Sequence, residues 1–275
     1  MSTSNLKYAF NGKVALVTGS SAGIGKAIAI QLAQYGAKVT ITGRNDAALK
    51  SVAAQIEQVS GGDSPLQIVG DLLDESLPKK LIDETIKKYG RLDFLINNAG
   101  GATPNGTYSS PNLLDEYDRV MKLNVRSVIS LTQLSVPHLE KFKGNIVNIS
   151  SIAAIKPFQP IYSISKAALD MVTKTSALEL GPKGIRVNSV NPGPVVTDFL
   201  RSRNVDKEGR DRFYEEAEPN SLMKRIGRPE DIANLVSFLV SDDAMNITGS
   251  IMVSDSGTLI GPGGKPFKPD MYEKK

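Results

Sequence analysis

The stretch from residue 13 to residue 35 places a short apolar run, a glycine-rich turn and a helical pattern in direct succession. Residues 13–18 (KVALVT) are typical of a strand buried on both faces. The turn Gly19-Ser20-Ser21-Ala22-Gly23-Ile24-Gly25 follows at once, and helical periodicity runs on to Tyr35. Glycines let the backbone approach a pyrophosphate closely, and a helix N-terminus adds free N–H groups. The stretch therefore predicts the opening of a dinucleotide-binding βαβ unit, with a simple glycine turn as the alternative.

The same alternation of apolar runs and helical patterns continues along the chain, with no internal repeat. A helix is predicted at about 47–59 and another from Tyr162 to Leu178. Strands that alternate with helices are typical of an α/β fold with a parallel sheet. The predicted strands are 13–18, 38–42, 66–70, 92–96, 144–149, 185–190 and 250–253.

Composition excludes several classes of site. The 275 residues contain no cysteine, which excludes disulfides, thiolate metal sites and cysteine nucleophiles. The single histidine, His138, excludes a multi-histidine metal site and argues against a Ser-His-Asp triad. We therefore predict no metal.

Charge and hydropathy argue against a nucleic-acid or membrane partner. The net charge of +4 comes from 33 basic and 29 acidic residues spread along the chain. This dispersed charge forms no basic stripe of the kind that binds nucleic acid. No apolar stretch is long enough to span a membrane, and the N-terminus has no secretory signal pattern. The prediction is a cytoplasmic protein.

The end of the second predicted strand bears on the choice of cofactor. An NAD site usually places Asp or Glu there to bind the ribose 2′-hydroxyl. This chain has Gly43-Arg44-Asn45 instead, and Asp46, a little further on, is predicted to cap the next helix. Arg44 can pair with a 2′-phosphate, which favours NADP(H), although NAD(H) stays possible. The alternative is that Arg44 is an ordinary surface arginine.

The predicted chemistry depends on a tyrosine and a lysine at the start of one predicted helix. Tyr162 and Lys166 are four apart at the start of a helical pattern, so they lie on one face, one turn from each other. A free tyrosine titrates near pH ~10, and a fixed cation nearby favours its phenolate form. The pair therefore makes Tyr162 a usable proton donor or acceptor. Taken alone, the spacing also fits a half-buried tyrosine beside an exposed lysine.

Three motifs stand in this order along the chain: Thr18-Gly19-x-x-x-Gly23-Ile24-Gly25, Asn97-Asn98-Ala99-Gly100 and Tyr162-x-x-x-Lys166. Together they resemble the short-chain dehydrogenase/reductase family, over nearly all of residues 10–257. The resemblance implies a doubly wound Rossmann fold, with a mostly parallel seven-stranded sheet and helices on both faces. It implies one domain over residues 1–260, a substrate lid at about 195–226 and a C-terminal tail at 261–275.

The resemblance also implies a catalytic set. Tyr162 would act as general acid and base, and Lys166 would assist it and bind the nicotinamide ribose. Asn124 would hold a water that links Lys166 to solvent. A serine would bind the substrate oxygen, and alignment favours Ser151 over Ser150. Only ten residues separate Ser151 from Tyr162, fewer than the family pattern leads us to expect.

The implied cofactor contacts cluster where predicted strands end. Asp71 and Leu72 follow the third strand, and the segment from Pro192 to Thr197 follows the sixth. Open α/β sheets bind ligands at this edge. The predicted cofactor-binding residues are Gly19, Ser21, Gly23, Ile24, Gly25, Arg44, Asn45, Asp71, Leu72, Asn98, Ala99, Gly100, Tyr162, Lys166, Pro192, Gly193, Val195 and Thr197.

The predicted function is an NADP(H)-dependent oxidoreductase acting on a small carbonyl or alcohol substrate. The alternatives are an NAD-dependent dehydrogenase of the same fold and a non-catalytic cofactor-binding regulatory protein. By resemblance, apolar helix faces within 113–139 and 167–178 would form subunit contacts of a homodimer or homotetramer. The region 198–226 is predicted to be the least regular part of the chain. Its candidate substrate contacts are Phe199, Phe213, Tyr214 and Met223.

Overall fold

The structure is a computed structural model that describes residues 7–103, 107–197 and 205–261. Phe199 and the predicted tail beyond residue 261 lie outside the described residues. The proposed division into a domain at 1–260 and a tail therefore stays a prediction.

Seven parallel strands form one sheet in the order β3-β2-β1-β4-β5-β6-β7. All seven strands predicted from the apolar runs are confirmed, with bounds that differ by at most two residues. The strands are β1 Val14–Val17, β2 Lys38–Gly43, β3 Leu66–Val69, β4 Phe94–Asn97, β5 Asn145–Ile149, β6 Arg186–Pro192 and β7 Ile251–Ser254.

Helices cover both faces of the sheet, because successive strand residues point to opposite sides. In β1, Ala15 and Val17 pack into one apolar core, while Val14 and Leu16 pack into the other. The doubly wound prediction is thereby confirmed. The helices are α1 Gly23–Gln34, α2 Asp46–Ser60, α3 Leu77–Tyr89, α4 Leu113–Met121, α5 Ser127–Leu139, α6 Pro160–Leu180, α7 Lys207–Asn220 and α8 Pro229–Val240.

The strand order reverses between β1 and β4, which lie side by side although two strands separate them in sequence. Chain connections leave opposite faces of the sheet at such a point, so a crevice opens beyond the carboxyl ends of the strands. The glycine turn follows β1, and Asn98 follows β4, at this crevice. The fold therefore brings the predicted motifs to one edge of the sheet.

The prediction that Asp46 caps the second helix is wrong. Asn45 is the N-cap, and its side-chain oxygen accepts a hydrogen bond from the Ala48 N–H at 3.0 Å. Asp46 is the first helical residue, where its charge favours the positive end of the helix dipole and pairs with Lys50.

A 14-residue helix, α7, occupies much of the region predicted to be least regular. It has no fully buried residue, so it lacks the apolar stripe that would have indicated a helix. The sequence features that do indicate this helix are polar. Asp206 caps it by accepting from the Gly209 N–H at 2.9 Å, and ion pairs four residues apart run along its surface, such as Lys207–Asp211.

Candidate active site

The glycine turn after β1 is fixed by side chains from both sides of the switch point. The Thr18 hydroxyl accepts the N–H groups of Asn98 and Ala99, each at 3.0 Å. The Asn98 side-chain amide donates two hydrogen bonds, to the carbonyls of Thr18 at 2.9 Å and Gly19 at 3.0 Å. Asn98 therefore holds the turn in shape, a role that its place after β4 did not reveal in the sequence.

Two glycines of the turn are required for different reasons. Gly19 adopts a φ of +62°, a left-handed conformation that glycine accepts without strain. Gly25 lies behind the turn, where a Cβ would be 2.3 Å from Asn98 Nδ2 and 2.4 Å from the Gly19 carbonyl oxygen. Gly25, predicted to bind cofactor, is therefore placed as a packing residue between helix and turn, away from the cavity wall.

The N-terminus of α1 opens onto the cavity that the turn borders. Its N-cap, Ala22, has no side-chain oxygen, so no side-chain hydrogen bond caps this end. Ser21, Gly23 and Ile24 line the same cavity. An uncapped helix N-terminus with glycine backbone exposed beside it suits a phosphate.

Arg44 lies at the carboxyl end of β2, on the cavity rim, with most of its side chain exposed. Its Nη1 atom is 3.8 Å from Asp71 Oδ2, so a carboxylate partly offsets its charge. Asp71 and Leu72, which the sequence analysis predicts to bind cofactor, line the cavity. Asn45 is not among the lining residues, because its side chain is committed to capping α2.

Tyr162 and Lys166 lie on the face of α6 that covers the sheet, and both side chains are largely buried. The Lys166 ammonium is 5.6 Å from the centre of the Tyr162 ring. It donates a hydrogen bond to the Ile149 carbonyl at 2.8 Å. The predicted one-turn juxtaposition is therefore present, and both residues line the cavity.

Lys166 is a buried cation held by neutral partners. Burial lowers its pKa to about 8, and the negative charge of Asp170, four residues further along α6, acts in the opposite direction. At neutral pH the ammonium form of Lys166 therefore predominates beside Tyr162, although its pKa lies only a little above neutral pH.

The two serines after β5 have different surroundings. Ser150 is buried, and its hydroxyl donates to the Lys166 carbonyl at 3.2 Å. Ser151 begins a short turn at Ile152–Ala154, and its oxygen accepts from the Ala153 N–H at 3.1 Å. A hydroxyl has one proton to donate. The Ser150 hydroxyl hydrogen is therefore already donated. The Ser151 hydroxyl only accepts a hydrogen bond among the described residues, so its hydrogen is available for a ligand.

The shortened segment between Ser151 and Tyr162 keeps both ends at the cavity. It folds as the turn Ile152–Ala154 followed by Pro157 and Phe158, and the Phe158 N–H donates to Ser163 at 2.9 Å. Ser151, Pro157, Phe158 and Tyr162 all line the cavity.

Asn124 lies in a π-helical turn, Lys122–Arg126, between α4 and α5. Its amide nitrogen donates to the Gly101 carbonyl and to Ser165 Oγ, both at 2.9 Å. Ser165 in turn donates to the Tyr162 carbonyl at 2.7 Å. Asn124 is absent from the cavity lining, and its side chain instead connects the loop after β4 to the Tyr162 helix. Single π-helical turns of this kind recur at functional sites.

The segment after β6 is joined to helix α7 by one hydroxyl. Four residues of this segment that the sequence analysis predicts to bind cofactor line the cavity, namely Pro192, Gly193, Val195 and Thr197. The Tyr214 hydroxyl accepts the Thr197 N–H at 3.2 Å and lies 3.1 Å from the Val195 carbonyl oxygen, to which it can donate.

These elements enclose a cavity of about 620 Å³. Phe213 and Tyr214 line it, whereas Met223 is two-thirds exposed and does not. Sequence reasoning missed part of the wall, because the residues carry no motif and come from turns and from α7. The missed residues include Leu123, Ile152, Ala153, Lys156, Glu216, Ala217, Asn220 and Thr258.

Comparison with known proteins decides the family. A family model described as enoyl-(acyl carrier protein) reductase matches residues 19–258. Glucose 1-dehydrogenase from Gluconobacter oxydans is 38% identical over 260 residues, covering 93% of this chain and 95% of that protein. A crystal structure of a short-chain dehydrogenase/reductase of unknown function from Caenorhabditis elegans, with cofactor, has a TM-score of 0.87 at 39% identity, covering 92% of this chain and 97% of that one. This chain belongs to the short-chain dehydrogenase/reductase family.

A further similar structure contains bound ligands. The crystal structure of L-sorbose reductase from Gluconobacter frateurii, complexed with NADPH and L-sorbose, has a TM-score of 0.83 at 30% identity. The alignment covers 93% of this chain and 99% of that one. The resemblance noted in the sequence is confirmed, and the chain is an oxidoreductase of a family that uses nicotinamide cofactors.

Two features of the described residues bear on metals and membranes. No group of three metal-ligating side chains comes together within them. No helix within them has both the length and the hydropathy needed to cross a bilayer. The cytoplasmic location stays a prediction.

Proposed function

We propose that this chain is an NADP(H)-dependent oxidoreductase that interconverts a carbonyl and a secondary alcohol, with Tyr162 as general acid and base. The observation that carries the proposal is the buried Lys166 ammonium beside Tyr162, in the cavity that the glycine turn also lines. A cation fixed there favours the phenolate form of Tyr162 and so lowers the cost of proton transfer near neutral pH.

Each residue has a separate task. Tyr162 donates a proton to the substrate oxygen during reduction and removes it during oxidation. Ser151 donates its hydroxyl hydrogen to the same oxygen, where negative charge develops. Its geometry supports this choice over Ser150, whose proton is already given to the Lys166 carbonyl. Asn124 acts by positioning the Tyr162 helix through Ser165.

The residues present fit a dinucleotide. The glycine backbone and the uncapped N-terminus of α1 would receive the pyrophosphate, and Arg44 would receive a 2′-phosphate. The Val195–Thr197 backbone would face the nicotinamide end, and Lys166 its ribose. When bound, the dinucleotide supplies or accepts the hydride.

Direct titration of the purified protein with NADPH and NADH tests the cofactor choice without knowledge of the substrate. Tighter binding of NADPH is expected. Arg44→Ala should weaken NADPH binding by about tenfold or more, because a charge-assisted hydrogen bond is worth roughly 1.5–3 kcal/mol. Arg126→Ala, an exposed arginine paired with Glu75, is the control and should leave it unchanged. An unaltered NADPH/NADH preference in Arg44→Ala would remove the assignment.

Turnover of carbonyl compounds tests the catalytic assignment. Tyr162→Phe should lower kcat by about 10²–10⁴-fold, the usual contribution of a general acid-base. Tyr35→Phe is the matched control, because Tyr35 packs against Tyr8 and Phe10, away from the cavity. Wild-type turnover in Tyr162→Phe would contradict the mechanism.

An NAD-dependent dehydrogenase of the same fold is the second candidate. The observation in its favour is Asp71, whose carboxylate stands 3.8 Å from Arg44 and would repel a 2′-phosphate. Tighter binding of NADH in the titration would select this candidate. Tyr162 and Lys166 would keep the same roles.

The homodimer or homotetramer predicted from the sequence is part of the same proposal. Helices α4, α5 and α6 expose large apolar residues, among them Leu114 at 76% and Leu178 at 81%. Light scattering during gel filtration should give the mass of a dimer or tetramer. A monomer would contradict this part of the proposal.

A further inference from the structure

Helix α6 carries a carboxylate that the proposed mechanism does not use. Asp170 follows Lys166 by four residues, so Tyr162, Lys166 and Asp170 form a row one turn apart on the same side of the helix. Asp170 is half-buried between α6 and β6. It is therefore a charged group placed in the layer between helix and sheet.

The bonds of Asp170 among the described residues come from neutral donors on β6. Asn191 Nδ2 donates to Asp170 Oδ2 at 2.8 Å. Ser189 Oγ lies 3.3 Å from Asp170 Oδ1 and 2.8 Å from Asn191 Oδ1. Ser189 and Asn191 are both fully buried. The carboxylate is thus fixed in position without being neutralised by a bonded cation.

Lys166 presents the complementary situation. Its ammonium is buried and bonded to a backbone carbonyl, so no anion touches it among the described residues. A buried cation without a counter-charge tends to lose its proton. The negative field of Asp170 opposes this loss from one helical turn away.

The other elements packed around Lys166 present mainly neutral groups. Helix α6 itself brings Tyr162 and Asp170 as titratable neighbours one turn from Lys166, and the exposed Lys174 stands one turn beyond Asp170. Helix α4 brings Glu116 and Arg119, which pair with each other at 3.3 Å, and Lys156 stands on the cavity wall after the turn that follows β5. The neutral neighbours are Asn124 from the π-helical turn, Ser150 after β5, and Ser189 and Asn191 from β6.

We propose that Asp170 is a positioning residue that keeps Lys166 charged, acting as its counter-charge through α6 while Ser189 and Asn191 hold the carboxylate in place. The inference rests on the proposed function for its catalytic meaning, because a charged Lys166 is what makes Tyr162 a proton donor near neutral pH. Asp170 also binds the strand that leads into Pro192 and Gly193, so it connects the catalytic helix to the cavity wall.

Asp170→Asn isolates the charge. An asparagine at position 170 can donate to Ser189 Oγ and accept from Asn191 Nδ2, while Ser189 donates to Asn191 Oδ1, so the hydrogen-bond ring can persist. Ser189→Ala is the matched control, because it removes the longer bond to Asp170, at 3.3 Å, while Asn191 still holds the carboxylate at 2.8 Å and the charge is kept. Asp170→Glu keeps the charge in a side chain one methylene longer.

The decisive measurement is the titration of the Lys166 side chain by ¹³C NMR, with the signal assigned by its loss in Lys166→Met. The midpoint in the wild-type protein should lie at about 8. In Asp170→Asn it should fall by about one pH unit, the size expected for a charge one helical turn away. Ser189→Ala and Asp170→Glu should keep the wild-type midpoint.

An unchanged midpoint in Asp170→Asn would overturn the proposal. If Asp170→Asn does not fold, Asp170→Glu gives a second test, because it retains the charge. A Lys166 midpoint that falls by a full pH unit in Asp170→Glu would also overturn the proposal. The pH profile of kcat/KM for carbonyl reduction is the second readout. The fall in activity on the basic side of this profile should begin at a lower pH in Asp170→Asn than in the wild-type protein. A shifted Lys166 midpoint in a protein that reduces no carbonyl would refute the proposed function and leave this inference standing.

Discussion

The Asn124 side chain and the Gly101 backbone form a reciprocal pair of hydrogen bonds. The Gly101 N–H donates to Asn124 Oδ1, and Asn124 Nδ2 donates to the Gly101 carbonyl, both at 2.9 Å. This pair joins the loop after β4 to the π-helical turn and, through Ser165, to the helix of Tyr162. A side chain placed in this way matters for stability as well as for catalysis.

Asn124→Asp should lower the free energy of unfolding by about 2–4 kcal/mol. An aspartate can still accept from the Gly101 N–H, but it cannot donate to the Gly101 carbonyl or to Ser165. Each buried polar group left without a partner costs about 1–3 kcal/mol. Urea unfolding of both proteins measures the difference. The control is Asn234→Ala, which removes one exposed hydrogen bond to Gln31. It should lower the free energy of unfolding by less than about 1 kcal/mol, as is usual for surface substitutions.

Lys166→Met should change the pH dependence of stability. The Lys166 pKa is about 8 in the folded protein and near 10.5 in the unfolded chain. Between these values the unfolded chain binds more protons, so this lysine makes the free energy of unfolding rise with pH. From about pH 7 to about pH 10, wild type should therefore gain roughly 2–3 kcal/mol relative to Lys166→Met.

Urea unfolding at several pH values measures this difference. Both proteins carry Tyr162→Phe in this comparison, because Lys166 is proposed to act on that neighbouring phenol. Groups away from Lys166 titrate alike in both proteins, so their contributions cancel. Tyr89, whose pKa burial raises to about 12, is one of them. A wild-type-minus-variant difference that stays constant with pH would contradict the buried ammonium.

Tyr214→Phe should loosen helix α7. That helix has no fully buried residue, and the Tyr214 hydroxyl bonds it to the backbone at Val195 and Thr197. Loss of both hydrogen bonds, at about 1 kcal/mol each, should speed hydrogen exchange of the Thr197 and α7 amides by at least about fivefold. Tyr108→Phe, a tyrosine that is mostly exposed, should leave those rates unchanged.

Gly25→Ala should destabilise the fold by about 3 kcal/mol or more, because its Cβ would meet Asn98 Nδ2 and the Gly19 carbonyl far inside contact distance. The control is Gly181→Ala. Gly181 has helical dihedral angles and no atom within 4 Å of the added Cβ, so that variant should be neutral or slightly stabilised. Thermal unfolding of the two variants distinguishes a packing glycine from a dispensable one.

Local pattern in the sequence determined the seven strands and the helices α1, α2 and α6. The apolar runs at 13–18 and 144–149, for example, could be buried on both faces only in a sheet covered by helices on each side. The glycine turn and the four-residue spacing of Tyr162 and Lys166 are also local, so their geometry follows from the periodicity of helix and turn. These features suffice for the doubly wound fold and for the family.

Tertiary structure alone decided how polar groups far apart in sequence satisfy one another. Asn98 donates into a turn about 80 positions earlier, Asn124 pairs with Gly101, and Asn191 holds Asp170. No periodicity encodes such pairs, because they depend on which strands become neighbours. Helix α7 was missed for a related reason, since its caps and surface ion pairs leave no apolar stripe to read. Burial then sets the charge state of Lys166, and burial is a property of the whole fold.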